Sequence, residues 1–482
     1  VSEEILINVT PQETRVAVVE NGVLQEVHIE RARQRGIVGN IYQGRVARIL
    51  PGLQAAFVDI GQPRAAFLHA SDLLHSHGSQ GGLIQERLRE GQQIVVQAMK
   101  DPLGTKGARL SAQLTLPARY LVYMPYSKHI GISQKIGDDS ERERLRNLVR
   151  ASMEPGDEGG YILRTLAETI DEDEIKKDVL YLRRRWLACQ GRIANARPGE
   201  LIHEELPLAL RAMRDLVRDE VEKIRIDSRE FCGKAREFAQ EFIPDVYPRI
   251  EHYPGERPVF DLYSVEDEIQ KALARKVPLK SGGHLIIDQT EALTTIDVNT
   301  GTFVGKHNLE ETLFKTNLEA AQAIARQLRL RNLGGIILVD FIDMQDAEHK
   351  RQVLRAFEKA LGRDRTKTTL TEMSPLGLVE LTRKRTRESL EHVLCQPCSV
   401  CQGRGVLKTP QTVCYEIFRE ILRESRQYGA NEYTVVASQT VVDMLQDEEA
   451  TSLQNLQEFI RRSIHLKVEP LYHQEQYDIV LM

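Results

Sequence analysis

The sequence predicts a multidomain α/β protein, and three observations lead to that reading. Between residues 284 and 373, apolar strands alternate with amphipathic helices, as in an α/β domain. From Gly36 to Leu116, short apolar runs are broken by Gly39, Gly44, Gly52 and Gly61, as in a small β-barrel of the OB type. The first thirty residues read as successive hairpin strands, with Asn21-Gly22 supplying a turn that needs left-handed backbone.

The elements follow in order. Residues 5–9, 15–20 and 23–30 are the hairpin strands, and 75–82, rich in His, Ser and Gly, is a loop. Residues 118–206 combine short strands with a charged helix at 139–150, and the Pro and Gly between 185 and 207 read as a linker. Residues 208–243 read as helical, closed by Pro244, Pro248 and Pro254. Then come strands at 284–288 and 293–298, a helix at 309–331 stopped by Gly334-Gly335, and a buried strand at 336–340. A helix at 346–361 and a strand at 366–373 complete the alternation, before a cysteine cluster and a small C-terminal domain, 409–482.

Composition narrows the function classes. The chain has 482 residues, with 65 basic and 70 acidic side chains and a net charge of −5. It is therefore no globally basic nucleic-acid binder, and any such contact must come from local patches. The first residues carry no basic, apolar leader, and the apolar runs are far too short to span a bilayer. Three of the six cysteines crowd between Cys395 and Cys401, which is no disulfide framework for a chain of this size and fits a cytoplasmic protein.

Four motifs carry chemistry. In the strand around Leu293, Asp297 and Asn299 are two residues apart and share a face, while Ile296 and Val298 point to the core. A second apolar strand delivers Asp340 as its apolar run ends. Ligands gather at the carboxyl ends of strands in α/β sheets, and two carboxylates there make a hard oxygen site suited to Mg²⁺. The competing reading is that these are strand-end aspartates capping helices, the role expected for Asp343 and Asp346.

Cys395-Gln-Pro-Cys398-Ser-Val-Cys401-Gln-Gly-Arg-Gly405 has the tight turns and thiolate spacing of a zinc knuckle. Cys189, Cys232 and Cys414 are isolated, so one chain does not obviously complete four ligands. Either Cys395 and His392 join Cys398 and Cys401, or two chains each contribute two thiolates. In the barrel, alternation sets Phe57 apart from Ala56, Val58 and Ile60, and Phe67 apart from Leu68, leaving both rings accessible for stacking on bases. Lys106 and Arg109 suit phosphates, although phenylalanines of small barrels are as often core. Arg164-Thr165 ends a strand with a guanidinium fork beside a hydroxyl, another pair suited to phosphate.

Several stretches together resemble the catalytic half of the ribonuclease E/G family over essentially the whole chain: Gly39-Asn-Ile-Tyr, Gln54-Ala-Ala-Phe-Val-Asp-Ile-Gly, Asp288-Gln-Thr-Glu-Ala-Leu-Thr-Thr-Ile-Asp-Val-Asn, Ala325-Arg-Gln-Leu-Arg-Leu-Arg-Asn-Leu-Gly-Gly and Val339-Asp-Phe-Ile-Asp-Met. The resemblance implies a split RNase H-like subdomain from 1–35 and 208–272, with an OB-fold domain, 36–117, and a 5′-phosphate sensor, 118–207, inserted. It further implies a DNase I-like catalytic subdomain at 273–393, a zinc link at 394–408 and the small C-terminal α/β domain at 409–482. By the same resemblance, Asp297 and Asp340 bind a catalytic Mg²⁺ with Asn299 orienting the site. Phe57, Phe67 and Lys106 hold single-stranded RNA, and Arg164 and Thr165, with backbone near Val122, read a 5′-monophosphate. Cys398 and Cys401 share a structural Zn²⁺ between two chains of a homodimer, with Cys395 a further candidate and a dimer of dimers left open.

The activity so implied is magnesium-dependent endonucleolytic hydrolysis of single-stranded RNA, in ribosomal-RNA 5′ maturation and messenger turnover. Some positions depart from the family. Ser399 stands after Cys398 where proline often follows, and Gln134 and Lys367 occupy arginine positions of the ribonuclease E branch, so phosphate sensing is expected to be differently tuned. The chain ends at residue 482 without a long scaffold tail, which points to the ribonuclease G branch. The alternative is a non-catalytic RNA-binding dimer with a decayed nuclease site, against which the intact Asp297, Asn299 and Asp340 speak.

Overall fold

The computed structural model describes residues 2–74, 83–102, 107–134, 136–153, 156–168, 170–300, 309–374, 376–428 and 430–482. They form two compact units, Val1–Val393 and Leu394–Met482.

The larger unit begins with β1 (Glu3–Val9), β2 (Glu13–Glu20) and β3 (Val23–Arg31). The turn between β2 and β3 places Asn21 at φ 49° and Gly22 at φ 78°. That left-handed pair matches the twist of the flanking strands, as the Asn-Gly signal predicts. Five further strands follow: β4 (Ile41–Leu50), β5 (Ala55–Asp59), β6 (Ala66–His69), β7 (Gln93–Lys100) and β8 (Arg109–Ser111). They run β4-β5-β6-β8-β7, and β7 pairs back onto β4, closing a five-stranded barrel. Closure removes the free edges that such short strands would otherwise expose. Ala56, Val58, Leu68, Val96 and Leu110 fill its interior.

Next come β9 (Leu116–Pro117), β10 (Leu121–Met124), β11 (Ile130–Ile132) and β12 (Gly160–Leu163), a sheet in the order β11-β12-β10-β9. Helices Asp139–Ser152 and Glu172–Ile193 belong to this layer. Here the structure corrects the sequence reading. The stretch taken as linker from residue 185 continues a helix to Ile193, because Val179, Leu182, Trp186 and Cys189 form an apolar stripe that packs on the sheet. The strand β13 (Leu201–His203) then joins β4 at the barrel.

Residues 208–243, read as one helical stretch, divide into helix Leu208–Leu216, strand β14 (Val221–Ile226) and helix Arg229–Phe242. The apolar positions Val221, Ile224 and Ile226 suit either period. Pairing decides the matter, because β14 lies parallel to β1 and to β15 (Ile250–His252). The resulting sheet, β15-β14-β1-β2-β3, is assembled from chain segments more than two hundred residues apart, as Ile5 opposite Ile224 shows.

The strands β16 (Lys276–Pro278), β17 (His284–Gln289), β18 (Leu293–Asn299), β19 (Gly335–Asp340), β20 (Thr368–Leu370) and β21 (Leu378–Arg383) form a sheet in the order β16-β17-β18-β19-β21-β20. Helices Leu309–Leu330 and Ala347–Leu361 cover it through Ile324, Leu328, Val353 and Phe357. The first of these ends at Asn332 (φ 49°), with the Leu333 N–H on the Leu328 carbonyl at 3.0 Å, so asparagine terminates it rather than the glycine pair. Arg329 ties this helix to the first hairpin, pairing with Glu20 at 3.0 Å and Glu26 at 2.9 Å.

The smaller unit carries β22 (Glu432–Ala437), β23 (Ser463–Val468) and β24 (Tyr477–Leu481) in the order β23-β22-β24. Helices Pro410–Gln427, Gln439–Gln446 and Ala450–Ile460 pack on that sheet. Among the described residues, no helix is long and apolar enough to cross a membrane.

One buried acid fastens the 172–193 helix to β10. Asp178 accepts the Tyr120 N–H at 2.7 Å and the Leu121 N–H at 3.0 Å. Burial pushes its carboxyl up to about 7, against those donors and the nearby Arg164 and Arg119. Between pH ~4 and ~7 the folded chain therefore keeps a proton that the unfolded chain releases, so stability falls as pH rises through that window, by at most about 1.4 kcal/mol per pH unit. Urea unfolding of Asp178→Asn across this range should show a flatter pH dependence than the parent. Parallel profiles would assign the ionised form to the folded state.

Candidate active site

The pairing of β18 with β19 is parallel and in register, placing Asp297 directly opposite Asp340. Ile296, Val298, Ile337 and Val339 are buried beneath, so side-chain alternation turns both acids outward. Asn299, two residues on, donates from its amide to the Asp297 carboxylate at 2.8 Å. The chain entering β17 approaches this end closely: a Cβ on Gly283 would meet the Asn299 carbonyl at 2.5 Å. Asp297, Asn299 and Asp340 thus stand together at the carboxyl ends of adjacent strands, where the sequence placed them.

The acids crowd one another. The Asp340 carboxyl is raised above its ordinary range by partial burial and by the like charges of Asp297 and Asp343. Asp343 was expected to cap a helix and does not. The helix Ala347–Leu361 is capped by Asp346, which accepts the Glu348 N–H at 2.7 Å, while Asp343 contributes charge beside Asp340.

Two residues missed in the sequence hold the loop after Asp340. Asn317, fully buried in the 309–330 helix, donates to the Ile342 carbonyl at 2.8 Å and accepts the Ile342 N–H at 3.1 Å. Glu310, in the first turn of the same helix, accepts the N–H groups of Gln345 at 3.1 Å and Asp346 at 3.2 Å. The Asp346 N–H foremost, with His349 and the Gln345 N–H, holds the Glu310 carboxyl below its usual range against the opposing effect of desolvation. A signal for Asn317 existed: it stands on the apolar stripe of Ala320, Ala321 and Ile324, where an amide needs a buried partner.

On the barrel, Phe57 lies opposite Phe67, and the rings meet edge to face with centroids 6.3 Å apart. Both are half-buried, while Ala56, Val58 and Leu68 are fully buried, so the rings are not the barrel core. Arg109 is opposite Phe67 and pairs with Asp72 at 2.9 Å, which offsets the charge expected to meet phosphate. Lys106 and the 75–82 loop lie outside the described residues.

Arg164 closes β12 and donates to the Ala118 carbonyl at 2.8 Å and to Asp215 at 2.7 Å. Burial raises the Asp215 carboxyl, but Arg214 and Arg164 more than offset this and hold it at about 2. The Thr165 hydroxyl meets that of Ser133 at 3.0 Å. Val122 lies on β10 opposite Ile162, two residues beyond the Tyr120 carbonyl that accepts the Arg164 N–H. Gln134 and Lys367 are both exposed.

Cys395 and Cys398 are exposed and Cys401 half-buried, all as free thiols. The Gly405 and Gly403 N–H groups face the Cys401 sulfur and, with Cys398, lower its pKa. Left-handed backbone at Gln402, Gly403 and Gly405 turns the loop tightly enough for this. Among the described residues, no three His, Cys, Asp or Glu side chains gather as a metal-binding group. The His392 ring is engaged by the Ser389 hydroxyl at 2.8 Å.

Comparison with known proteins places these features in one family. The model of the ribonuclease E/G family matches residues 115–386, and that of its thioredoxin-like domain matches 397–481. The chain is 54% identical to ribonuclease G of Salmonella typhimurium, with 99% of each chain covered. Identity is also 54% to ribonuclease G of Escherichia coli strain K12, again over 99% of both chains. It is 38% to ribonuclease E of a Nostoc species, over 82% of this chain and 58% of that protein. This chain belongs to the ribonuclease E/G family.

Proposed function

We propose that the protein is an endoribonuclease that hydrolyses phosphodiesters of single-stranded RNA, leaving 5′-phosphate and 3′-hydroxyl ends. The observation that carries this reading is the in-register pair Asp297 and Asp340, with Asn299 hydrogen-bonded to Asp297. The like-charge crowding at Asp340 is what a divalent cation between the carboxylates relieves. Two carboxylates suit Mg²⁺, which keeps several waters and takes substrate phosphate oxygens for the rest of its shell. When bound there, Mg²⁺ supplies an activated water and offsets charge on the phosphodiester.

The chain's own groups then have separate tasks. Asp297 and Asp340 hold the ion, the Asn299 amide fixes the Asp297 carboxylate, and Asn317 and Glu310 keep the loop beside Asp340 from moving. Phe57 and Phe67 stack bases of unpaired RNA, which no paired duplex offers. Arg164, steadied by Asp215, and Thr165 meet a 5′-monophosphate, giving preference for that RNA end. Ribosomal-RNA 5′ maturation and messenger turnover, in the cytoplasm, are the work that fits these parts.

Asp297→Asn and Asp340→Asn should each abolish cleavage of a 5′-monophosphorylated oligoribonucleotide in Mg²⁺ while RNA binding persists. A lost metal ligand should slow turnover by orders of magnitude, at about 1.4 kcal/mol of barrier per tenfold. Near-normal turnover in either folded variant would overturn the assignment.

Cys398 and Cys401 are proposed to share one Zn²⁺ with the same pair of a second chain in a homodimer. The lowered pKa of Cys401 favours the thiolate that zinc takes, and among the described residues neither Cys395 nor His392 completes a metal-binding group. Metal analysis should find about one zinc per two chains, and Cys398→Ser should release it and shift the dimer towards monomer in sedimentation. One zinc per chain in a monomer would place all ligands in one knuckle.

The sensor is tested by selectivity. A charge-assisted hydrogen bond contributes roughly 1.5–3 kcal/mol, so Arg164→Ala should lower kcat/KM about 10- to 100-fold on 5′-monophosphorylated RNA. The rate on 5′-hydroxyl RNA of the same sequence should be little changed. Equal slowing of both substrates would make Arg164 a structural residue.

A further inference from the structure

The barrel carries a row of side chains whose composition extends beyond the aromatic pair. Following the strand pairings, Arg48 of β4 lies opposite Phe57, Phe57 opposite Phe67, Phe67 opposite Arg109, and Arg109 opposite Lys100 of β7. Five residues from five strands thus fall in one line across the strand direction. With neighbouring strands about 4.8 Å apart, the line spans about 19 Å.

Both ends of this line are built by irregularities. The β4–β5 register shifts between Val46 and Arg48, and the β7–β8 register shifts between Ala98 and Lys100. A bulge re-aims the side chain that follows it. Here two bulges, on strands at opposite ends of the row, bring a cation level with the aromatic pair. Arg48 and Lys100 are both exposed, and among the described residues neither makes an ion pair. Arg109, between them, is offset by Asp72. The neighbouring row pairs Arg45 with Asp59, so its charges cancel. Among the described residues this row therefore combines stackable rings with uncompensated positive charge at each end, on a chain whose net charge is −5.

We propose that Arg48 and Lys100 are phosphate contacts at the two ends of a single-stranded RNA path that crosses the barrel perpendicular to its strands, with bases stacked on Phe57 and Phe67 between them. This deepens the reading of the barrel as an RNA-binding element and rests on it. Rings hold bases whatever the salt concentration, whereas cations meet the phosphates before and after those bases. The two contributions are therefore separable, because only phosphate neutralisation releases counterions.

The test uses the full chain and a fluorescent 5′-hydroxyl decauridylate in EDTA, which bypasses the 5′-phosphate sensor and prevents cleavage. Affinity is measured from 50 to 200 mM salt. Each phosphate contact on a single strand contributes about −0.7 to the slope of log K against log salt, so Arg48→Gln with Lys100→Gln should flatten it by about 1.4. Arg48→Lys with Lys100→Arg should restore the parent slope. Phe57→Ala should weaken binding at every salt concentration and leave the slope unchanged. Both positions are exposed, so thermal unfolding of the double variant should match the parent. An unchanged slope in the folded double variant, with Phe57→Ala weakened, overturns the proposed path while the barrel reading stands. If Phe57→Ala and Phe67→Ala bind as the parent does, the barrel reading itself falls.

Discussion

The molecule depends on the register of one strand pair. The parallel pairing of β18 with β19 sets Ile296 and Val339 into the core and Asp297 and Asp340 outward. Because side chains alternate, a slip of one residue in either strand would bury its acid and expose its aliphatic. Burying an unpaired carboxylate is far costlier than losing any single contact in the sheet, so the apolar alternation that packs the core also enforces the opposition of the acids. The same physics that folds this subdomain therefore sets Asp297 and Asp340 side by side.

Register alone does not hold the approach to that site. The segment after Asp340 leaves the sheet, where no ladder partner restrains it, and its backbone is instead held by the helix lying across the sheet. Asn317 closes a two-way hydrogen bond on the Ile342 peptide, and Glu310 gathers the next free N–H groups. Both clamps sit on the helix that Arg329 anchors to the first hairpin through Glu20 and Glu26. Those ion pairs are nearly dry, so their net stabilisation is modest, but each missing partner would leave an uncompensated charge. They therefore act chiefly to specify one seating of the helix, and through it one position of the loop beside Asp340.

The barrel solves a different problem with the same rules. Five short strands close on themselves, leaving one face of each to fill the interior and the other available to a ligand. Phenylalanines on the outer face would be a liability on an ordinary surface, yet here they meet edge to face and are only half-buried. Arg164 is held at the end of β12 by Ala118 and Asp215, so its direction is set by the fold, as the proposed phosphate contact requires. A guanidinium held in advance loses less freedom on binding than a mobile one.

Periodicity in the sequence alone determined the hairpin, the glycine-punctuated barrel and the alternating strands and helices of the 284–361 region, because each rests on local apolar spacing and turn chemistry. It also determined which faces Asp297, Asn299, Phe57 and Phe67 occupy, since side-chain direction follows the strand period. Elsewhere local spacing was ambiguous. Val221, Ile224 and Ile226 fit a helix or a strand, and only pairing with β1, more than two hundred residues earlier, makes β14 a strand. The helix to Ile193 was masked by its polar residues until the sheet beneath supplied a partner for Trp186 and Cys189. Side-chain partnerships such as Asp215 with Arg164, Asp72 with Arg109 and Asn317 with Ile342 join positions 25 to 51 residues apart. They follow from where the backbone brings two groups together, which no local pattern encodes, and so the tertiary structure alone decided them.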